Sequence, residues 1–177
     1  MYRIEITGDR VLVKNLDQYD KGISDRALPK ALKAIGRDVV GKATELLTGN
    51  RTGVKTLTSK NDIERTVRTN PSVSGAYPVT IFTGNLRRLA GMVNPGETVS
   101  SDDRAGGEIS YTAGPEEVII FNSAFYASMI HEGLGSSEKY GARPFLDDAI
   151  EAIHSSGNMD NRIIEELEKE KINSGLG

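Results

Sequence analysis

Between Leu28 and Leu46 apolar side chains recur every three or four residues: Leu28, Leu32, Ile35, Val39, Lys42 or Ala43, and Leu46. A stripe of that period over about five turns predicts a helix that lays one face on a core. Ser24 or Asp25 is placed to cap it, Pro29 falls near its first turn, and Gly49 behind Leu47-Thr48 is a credible stop. The helix needs a second layer to pack on, and the rest of the chain reads as short strands and two further helices. The predicted class is therefore α+β. A small, mainly antiparallel sheet packs against this long N-terminal helix and a C-terminal helix. With 177 residues, a single domain over 1–177 is expected.

Before the helix, Ile4, Ile6, Val11 and Val13 alternate around Gly8-Asp9, which predicts an N-terminal hairpin arm over 1–15. Asn15 to Gly22 reads as polar and turn-rich. Residues 50–75 read as a long mobile loop, with Ile63 and Val67 allowing a short helix over Asp62 to Arg68. Thr83 is a natural N-cap for a short helix carrying Leu86 and Leu89. Three strands are expected at Gly91–Ser100, Glu108–Ala113 and Glu117–Asn122, joined by short turns into an antiparallel meander. Ser123 is expected to cap a helical turn that Gly133 stops. Pro144 opens the next helix, with Phe145, Leu146, Ala149, Ile150 and Ile153 as its stripe. Residues 158–177 form a helical extension, helical from Asn158 to Ile172, in which Glu165 and Lys169 sit at i, i+4.

Composition narrows the chemistry. The chain has no cysteine and two histidines, which excludes a disulfide framework, a thiolate metal site, a cysteine nucleophile and a histidine-rich metal site. A net charge of −3 argues against a general nucleic-acid binder. Met1 to Ile6 alternates without the apolar stretch of a secretory signal, and a run such as Val118–Phe121 is far short of the ~20 residues that span a bilayer. A soluble protein made in the cytoplasm, with no membrane partner, is the expectation.

The charge is polarised. Residues 21–68 carry 11 basic and 5 acidic side chains, a net of +6, while residues 144–177 carry 3 and 8, a net of −5. Two solvated helix faces are the plain reading. A sharper one is a head-to-tail subunit contact, with the basic surface of one copy on the acidic surface of the next.

Catalytic and cofactor motifs fail one by one. Gly36-Arg37-Asp38-Val39-Val40-Gly41-Lys42-Ala43 follows the phosphate-loop spacing but ends in alanine, where a magnesium-binding hydroxyl is needed, and lies inside the helical stripe. Its glycines are better explained by close helix packing or flexing. His131-Glu132 begins like a zinc-protease helix, yet Gly135 stands where the second ligand belongs, and His154 is the other histidine. Ser123 or Ser128 with either histidine can be assembled into a triad on paper, but no Gly-x-Ser-x-Gly elbow is present. Gly133 to Glu138 lacks the third glycine of a dinucleotide loop. No enzyme activity and no cofactor is expected. Arg51, Lys55, Lys60, Arg65 and Arg68 could meet a nucleic-acid backbone, though no aromatic residue stands among them for base stacking.

One constellation stands above this background. Thr83-Gly84-Asn85-Leu86-Arg87-Arg88-Leu89 is followed by Phe125-Tyr126-Ala127-Ser128-Met129-Ile130-His131-Glu132-Gly133 and then by Ala142-Arg143-Pro144-Phe145-Leu146-Asp147-Asp148-Ala149-Ile150. The order resembles the neck and tail-completion proteins of long-tailed bacteriophages, over roughly Ala27 to Ile153. In that family a basic N-terminal helix leads to a TG-x-L-R turn, a strand meander, a YA turn and an ARPFL helix. Gly133-Leu134 departs from the usual Gly-Thr after the YA turn, and the arm and the tail beyond His154 fall outside the resemblance.

The resemblance implies a structural virion protein at the phage neck, made in the host cytoplasm. It would form a ring with itself, expected as a hexamer. A head-closure or connector protein would stand on one side and a tail terminator or tail tube protein on the other. DNA would pass through the lumen without sequence-specific binding. The motif candidates are Thr83, Gly84, Leu86, Arg87, Tyr126, Ala127, His131, Glu132, Gly133, Arg143, Pro144, Phe145 and Leu146. Arg143 offers a planar five-donor fork for a neighbouring carboxylate or carbonyls, and Phe145 and Leu146 anchor the following helix. A tail terminator capping the tail tube is the neighbouring alternative, and a small cytoplasmic DNA-binding protein is one of a different class.

Overall fold

A computed structural model describes residues 10–48, 53–58, 64–69, 85–101, 109–134 and 142–177. Its longest feature is a helical rod. Helix α1 (Arg10–Gly22) passes through a π-helical segment (Ile23–Ala27) into α2 (Leu28–Thr48) without a break, since Gly22 and Leu28 on either side both keep helical dihedrals. At about 1.5 Å per residue the rod is roughly 60 Å long. The second arm of the expected N-terminal hairpin is thus helical, Asn15–Gly22 is no turn, and the rest of that arm, 1–9, lies outside the described residues. Ser24 and Asp25 fall inside the π segment, so neither caps a helix. Pro29 accounts for the widening. Its ring lacks an N–H for the carbonyl of Asp25 and crowds that carbonyl, and the wide turn ends on the bond from the Leu28 N–H to the Ile23 carbonyl.

The buried face of the rod falls at every fourth position: Ala27, Ala31, Ile35, Val39, Ala43 and Leu47. Ile35, Val39 and Ala43 agree with the sequence stripe, whereas Leu28, Leu32 and Leu46 are half-buried on its flank. A row of i, i+4 positions is inclined to the helix axis, so the seam winds across the rod and meets different partners along its length. Toward its C-terminal half α2 packs on α5 (Phe145–Ser155) and on the strands β3 (Ala90–Val93) and β6 (Ile119–Asn122). A further partner is α6 (Asn158–Asn173). Arg162 reaches Asp38, Glu170 lies against Gly22 and Arg26, and the Asn15 amide donates to the Gly175 carbonyl at 3.3 Å. Helix α6 therefore runs antiparallel along the rod, from the middle of α2 back to α1.

The strands form three two-stranded antiparallel ladders. Where a mobile loop with a short helix is expected, β1 (Gly53–Thr58) pairs with β2 (Glu64–Thr69), from Gly53 opposite Thr69 to Thr58 opposite Glu64. The threonines and valines of both segments favour extended backbone, which explains the outcome. The expected meander is also revised. Strand β3 pairs with β6, while β4 (Thr98–Ser101) pairs with β5 (Ile109–Thr112), so the two ladders are halves of one long hairpin. Between them two turns face each other. Asn94–Glu97 is closed by the Glu97 N–H on the Asn94 carbonyl at 3.0 Å, and Gly114–Glu117 by the Glu117 N–H on the Gly114 carbonyl at 3.3 Å. They are joined by the Gly96 N–H to the Gly114 carbonyl at 2.8 Å and the Ala113 N–H to the Glu97 carbonyl at 3.0 Å. Pro95 interrupts the strand expected over Gly91–Ser100, and Gly114-Pro115-Glu116 is a bulge in one arm rather than a hairpin turn.

One glycine lets the hairpin approach the rod, and a second makes room within the hairpin. A Cβ on Gly36 of α2 would stand 2.8 Å from Val118 Cγ2 and 2.9 Å from Met92 Sδ. On the hairpin itself, Gly91 is covered by its cross-strand partner Phe121, whose ring lies 2.9 Å from where a Cβ would be. The core beneath combines Ile35, Val39, Ala43 and Leu47 with Leu86, Leu89, Ala124, Ala127, Phe145 and Ala149.

Candidate functional site

The three segments that carry the resemblance meet in one packed unit. Helix α3 (Asn85–Arg88) contributes Leu86, α4 (Ala127–Glu132) contributes Ala127, and α5 contributes Phe145; all three are buried in the same cluster. Tyr126 and Leu146 are half-buried against it. Arg87 is half-buried on α3. Thr83 and Gly84 lie outside the described residues.

Backbone geometry fixes the corner between α4 and α5. Gly133 ends α4 at φ 71°, a left-handed cap that suits glycine, and the Leu134 N–H returns to the Met129 carbonyl at 2.8 Å. The chain then comes back to α4: the Arg143 N–H donates to the Ile130 carbonyl at 3.1 Å. Pro144, at φ −74° and ψ 62°, sits at the centre of an inverse γ-turn closed by the Phe145 N–H on the Arg143 carbonyl at 2.7 Å. Pro144 is therefore one residue ahead of the first-turn position expected for it. The turn drives Phe145 straight into the core, where it is fully enclosed. Arg143 itself is only 4% exposed, and it is not a free cation.

His131 packs edge-on against the Phe145 ring, centroids 5.5 Å apart, with its Nε2 3.6 Å from Asp147 Oδ2. That spacing is an ion-pair distance rather than a hydrogen bond, and the ring contact gives the histidine a packing role. Ser123 is buried and does not cap α4, because the helix starts four residues later behind Tyr126. Asn122 does the work at that corner. Its amide donates to the Leu86 carbonyl, and its oxygen accepts the Ala124 N–H at 3.0 Å. Sequence reading passed over this residue; its signal is an asparagine ending an apolar strand, where an Asx turn reverses the chain.

With so many motif residues turned inward, the outer face of α4 is left to Phe125, Met129, Glu132 and Leu134, all exposed. Phe125 is 72% exposed and meets Tyr126 edge-on at 5.0 Å. A second apolar group stands on the N-terminal half of α1, where Val11, Leu12, Val13 and Leu16 are about half exposed or more. Among the described residues no cluster of histidine and carboxylate side chains could hold a metal ion. No described helix is long and apolar enough to cross a membrane.

Two ion pairs join the helical rod to α6. Arg26 forks onto the Glu170 carboxylate, its Nε 3.2 Å from Oε2, and Arg162 Nε donates to Asp38 Oδ2 at 3.1 Å. The Arg26 hydrogen bond holds the Glu170 carboxyl below the ordinary carboxylate range, against the opposing effect of burial. The hydrogen bonds to Glu170 and Asp38, and then the charges of those carboxylates, likewise raise Arg26 and Arg162. On the exposed side of α6, hydrogen bonds from Lys169 lower Glu165, and those to Glu165 and Glu166 raise Lys169. These ion pairs tie α6 to the rod across their seam in both senses, Arg26 of the basic segment to Glu170 and Arg162 of the acidic segment to Asp38, so they leave the opposed net charges of the two segments as they were. Beside the seam an open groove of about 480 Å³ is lined by Arg37, Lys42, Asn161 and Arg162 together with Asp38 and Glu45. Its opposite charges largely neutralise one another: Lys42 bonds Glu45 at 3.1 Å, and Arg162 bonds Asp38.

Set against protein-family models, curated protein sequences and solved structures, the chain matches none of them.

Proposed function

We propose that the chain is a structural protein of the phage neck. It assembles with copies of itself into a ring, expected to hold six. The ring joins the head-closure or connector protein on one side to the tail terminator or tail tube protein on the other. Its action is mechanical: it completes one assembly, presents a surface to the next, and leaves a lumen through which DNA passes without base-specific contact.

One observation carries the reading. Segments far apart in the sequence, whose order resembles the family, close into a single unit whose fold determinants point inward and whose outer face is apolar. Exposed Phe125, Met129 and Leu134 offer the apolar area that a contact between subunits uses.

Negative-stain images of the purified chain, alone and mixed with connector and tail tube proteins, test this. Closed rings that co-purify with either partner are expected. Binding that instead stops tube growth at a fixed length would favour the tail terminator. A particle that stays single with every partner, yet binds duplex DNA with steep salt dependence, would replace the neck reading with the DNA-binding one.

A further inference from the structure

We propose that α1 is a hinged arm, pivoting at the π-helical segment 23–27 and latched to the body by the C-terminal half of α6 through Glu170. The inference is independent of the neck reading and comes from four features of one region. First, the rod is not uniform: the wide turn at Ile23–Ala27 stands between Gly22 and Pro29, the two residue types that most weaken a helix interior. Second, no residue of α1 belongs to the hydrophobic core, and among the described elements α1 packs on α6. Third, the contact with α6 is polar and local. Glu170 is buried at 3% exposure on the far side of the chain, with its carboxylate against Gly22, where a methyl group would overlap it. Arg26, inside the pivot, grips that carboxylate with two donors. Fourth, the middle of α1 is held by the Asn15 amide on the Gly175 carbonyl, just past α6.

Glu170 is a charged group in a packed seam, with no role in any core or motif contact. A buried ion pair can select one arrangement over its competitors, because breaking it leaves a charge unpaired in the seam. Here the alternatives are arm positions. A helix pivoting at a wide turn keeps its internal hydrogen bonds on both sides, so the swing is limited mainly by what α6 holds. The Ser174 hydroxyl, bonded to the Glu170 and Lys171 carbonyls at 2.9 and 3.0 Å, ends α6 firmly and keeps the latch residue in place. The apolar residues Leu12, Val13 and Leu16 travel with the arm.

The chain has no cysteine, so two spin labels can be placed without removing any residue. Lys14→Cys on α1 and Glu168→Cys on α6 are both exposed. Lys14 lies eleven residues from the middle of the pivot, about 16 Å, so a swing of roughly 60° displaces it on the order of 15 Å. In the otherwise unaltered chain a single narrow, short distance is expected by pulsed dipolar spectroscopy. In Glu170→Gln and in Arg26→Gln the distribution should broaden and extend to longer distances. A control pair, Arg37→Cys on α2 with Glu151→Cys on α5, should keep its distance, reporting an intact body. The Arg26 side chain is more than half exposed, so that variant removes the latch without disturbing the core. A Lys14–Glu168 distance that stays narrow in Arg26→Gln overturns the latch. A distribution already broad in the unaltered chain overturns it as well.

Discussion

Two glycines of α2 give the sharpest test of the packing described above. By helix propensity alone, replacing either Gly36 or Gly41 with alanine should stabilise the chain by about 1 kcal/mol, since glycine is the poorer helix former. Their surroundings separate them. A Cβ on Gly41 meets nothing within 4 Å, so Gly41→Ala should realise that gain. On Gly36 the same atom would stand 2.8 Å from a methyl of Val118 and 2.9 Å from the sulfur of Met92. Met92 can rotate away, but Val118 is stiff at χ1 and sits just before β6, so the hairpin itself must shift. Overpacking of this kind costs about 1–3 kcal/mol, which exceeds or cancels the propensity gain. Gly36→Ala is therefore expected to lose up to about 2 kcal/mol, and the two variants should differ by about 1–3 kcal/mol. For a chain of this size that is a gap of very roughly 2–10 °C in Tm. Urea unfolding of the three proteins followed by circular dichroism measures it. Equal stabilisation of both variants would refute the close approach of hairpin to rod. It would also reopen the question of why Gly36-Arg37-Asp38-Val39-Val40-Gly41-Lys42 carries its first glycine.

Other expectations can be checked on the same apparatus. Phe145→Ala empties the fully enclosed centre of the core and should cost about 3–5 kcal/mol, a large share of a typical domain's stability; a loss below about 1 kcal/mol would contradict the burial. Gly133→Ala puts a side chain at φ 71° and should cost about 1–2 kcal/mol in thermal unfolding, with no change expected if the cap is not left-handed. Asn122→Ala removes two hydrogen bonds at the α3–α4 corner and should cost about 1–3 kcal/mol, whereas Asn122→Asp keeps the bond from Ala124 and loses the donor to Leu86. The Glu170 carboxyl is held below its unfolded value, so its contribution is present above the ordinary glutamate range and is lost as pH falls through the lower folded value. Acid titration of stability should therefore be shallower in Glu170→Gln than in the unaltered chain; identical acid limbs would show that the pair does not couple to folding.

How much of this could be read from the sequence depended on whether a residue's neighbours were local. The stripe through Ile35, Val39 and Ala43 was legible because helical periodicity is a local signal, and Gly133 marked its helix end for the same reason. Helix α1 was not. Val11-Leu12-Val13 carries β-branched residues that favour a strand, and what turns it helical is propagation from α2, which is cheap once a helix exists, together with the docking of α6. Strands β1 and β2 hid because threonine, lysine and arginine do not alternate in hydrophobicity, although their β-branched content was on the page. The pairing of β3 with β6 depends on two opposed turns, of which Gly114-Pro115-Glu116 was legible as a turn while Pro95-Gly96 fell inside an expected strand. At the candidate site, sequence order picked out the residues that build the unit, Leu86, Ala127 and Phe145 among them. It did not separate them from Phe125 and Met129, the side chains left facing outward, because that distinction is made by a core assembled from distant segments. The opposed charges of 21–68 and 144–177 were visible in the sequence, but the individual pairs Arg26–Glu170 and Arg162–Asp38 were not.

The claim on which the functional account rests is that the outward face of α4 joins one copy of the chain to the next. Native mass spectrometry of the full chain beside Phe125→Glu tests it most directly. The account expects the unaltered chain to give one dominant closed oligomer, with six copies as the expected number, and the variant to give folded single chains. A single-chain mass for both proteins at high concentration, or an oligomer untouched by the charge at position 125, would contradict it.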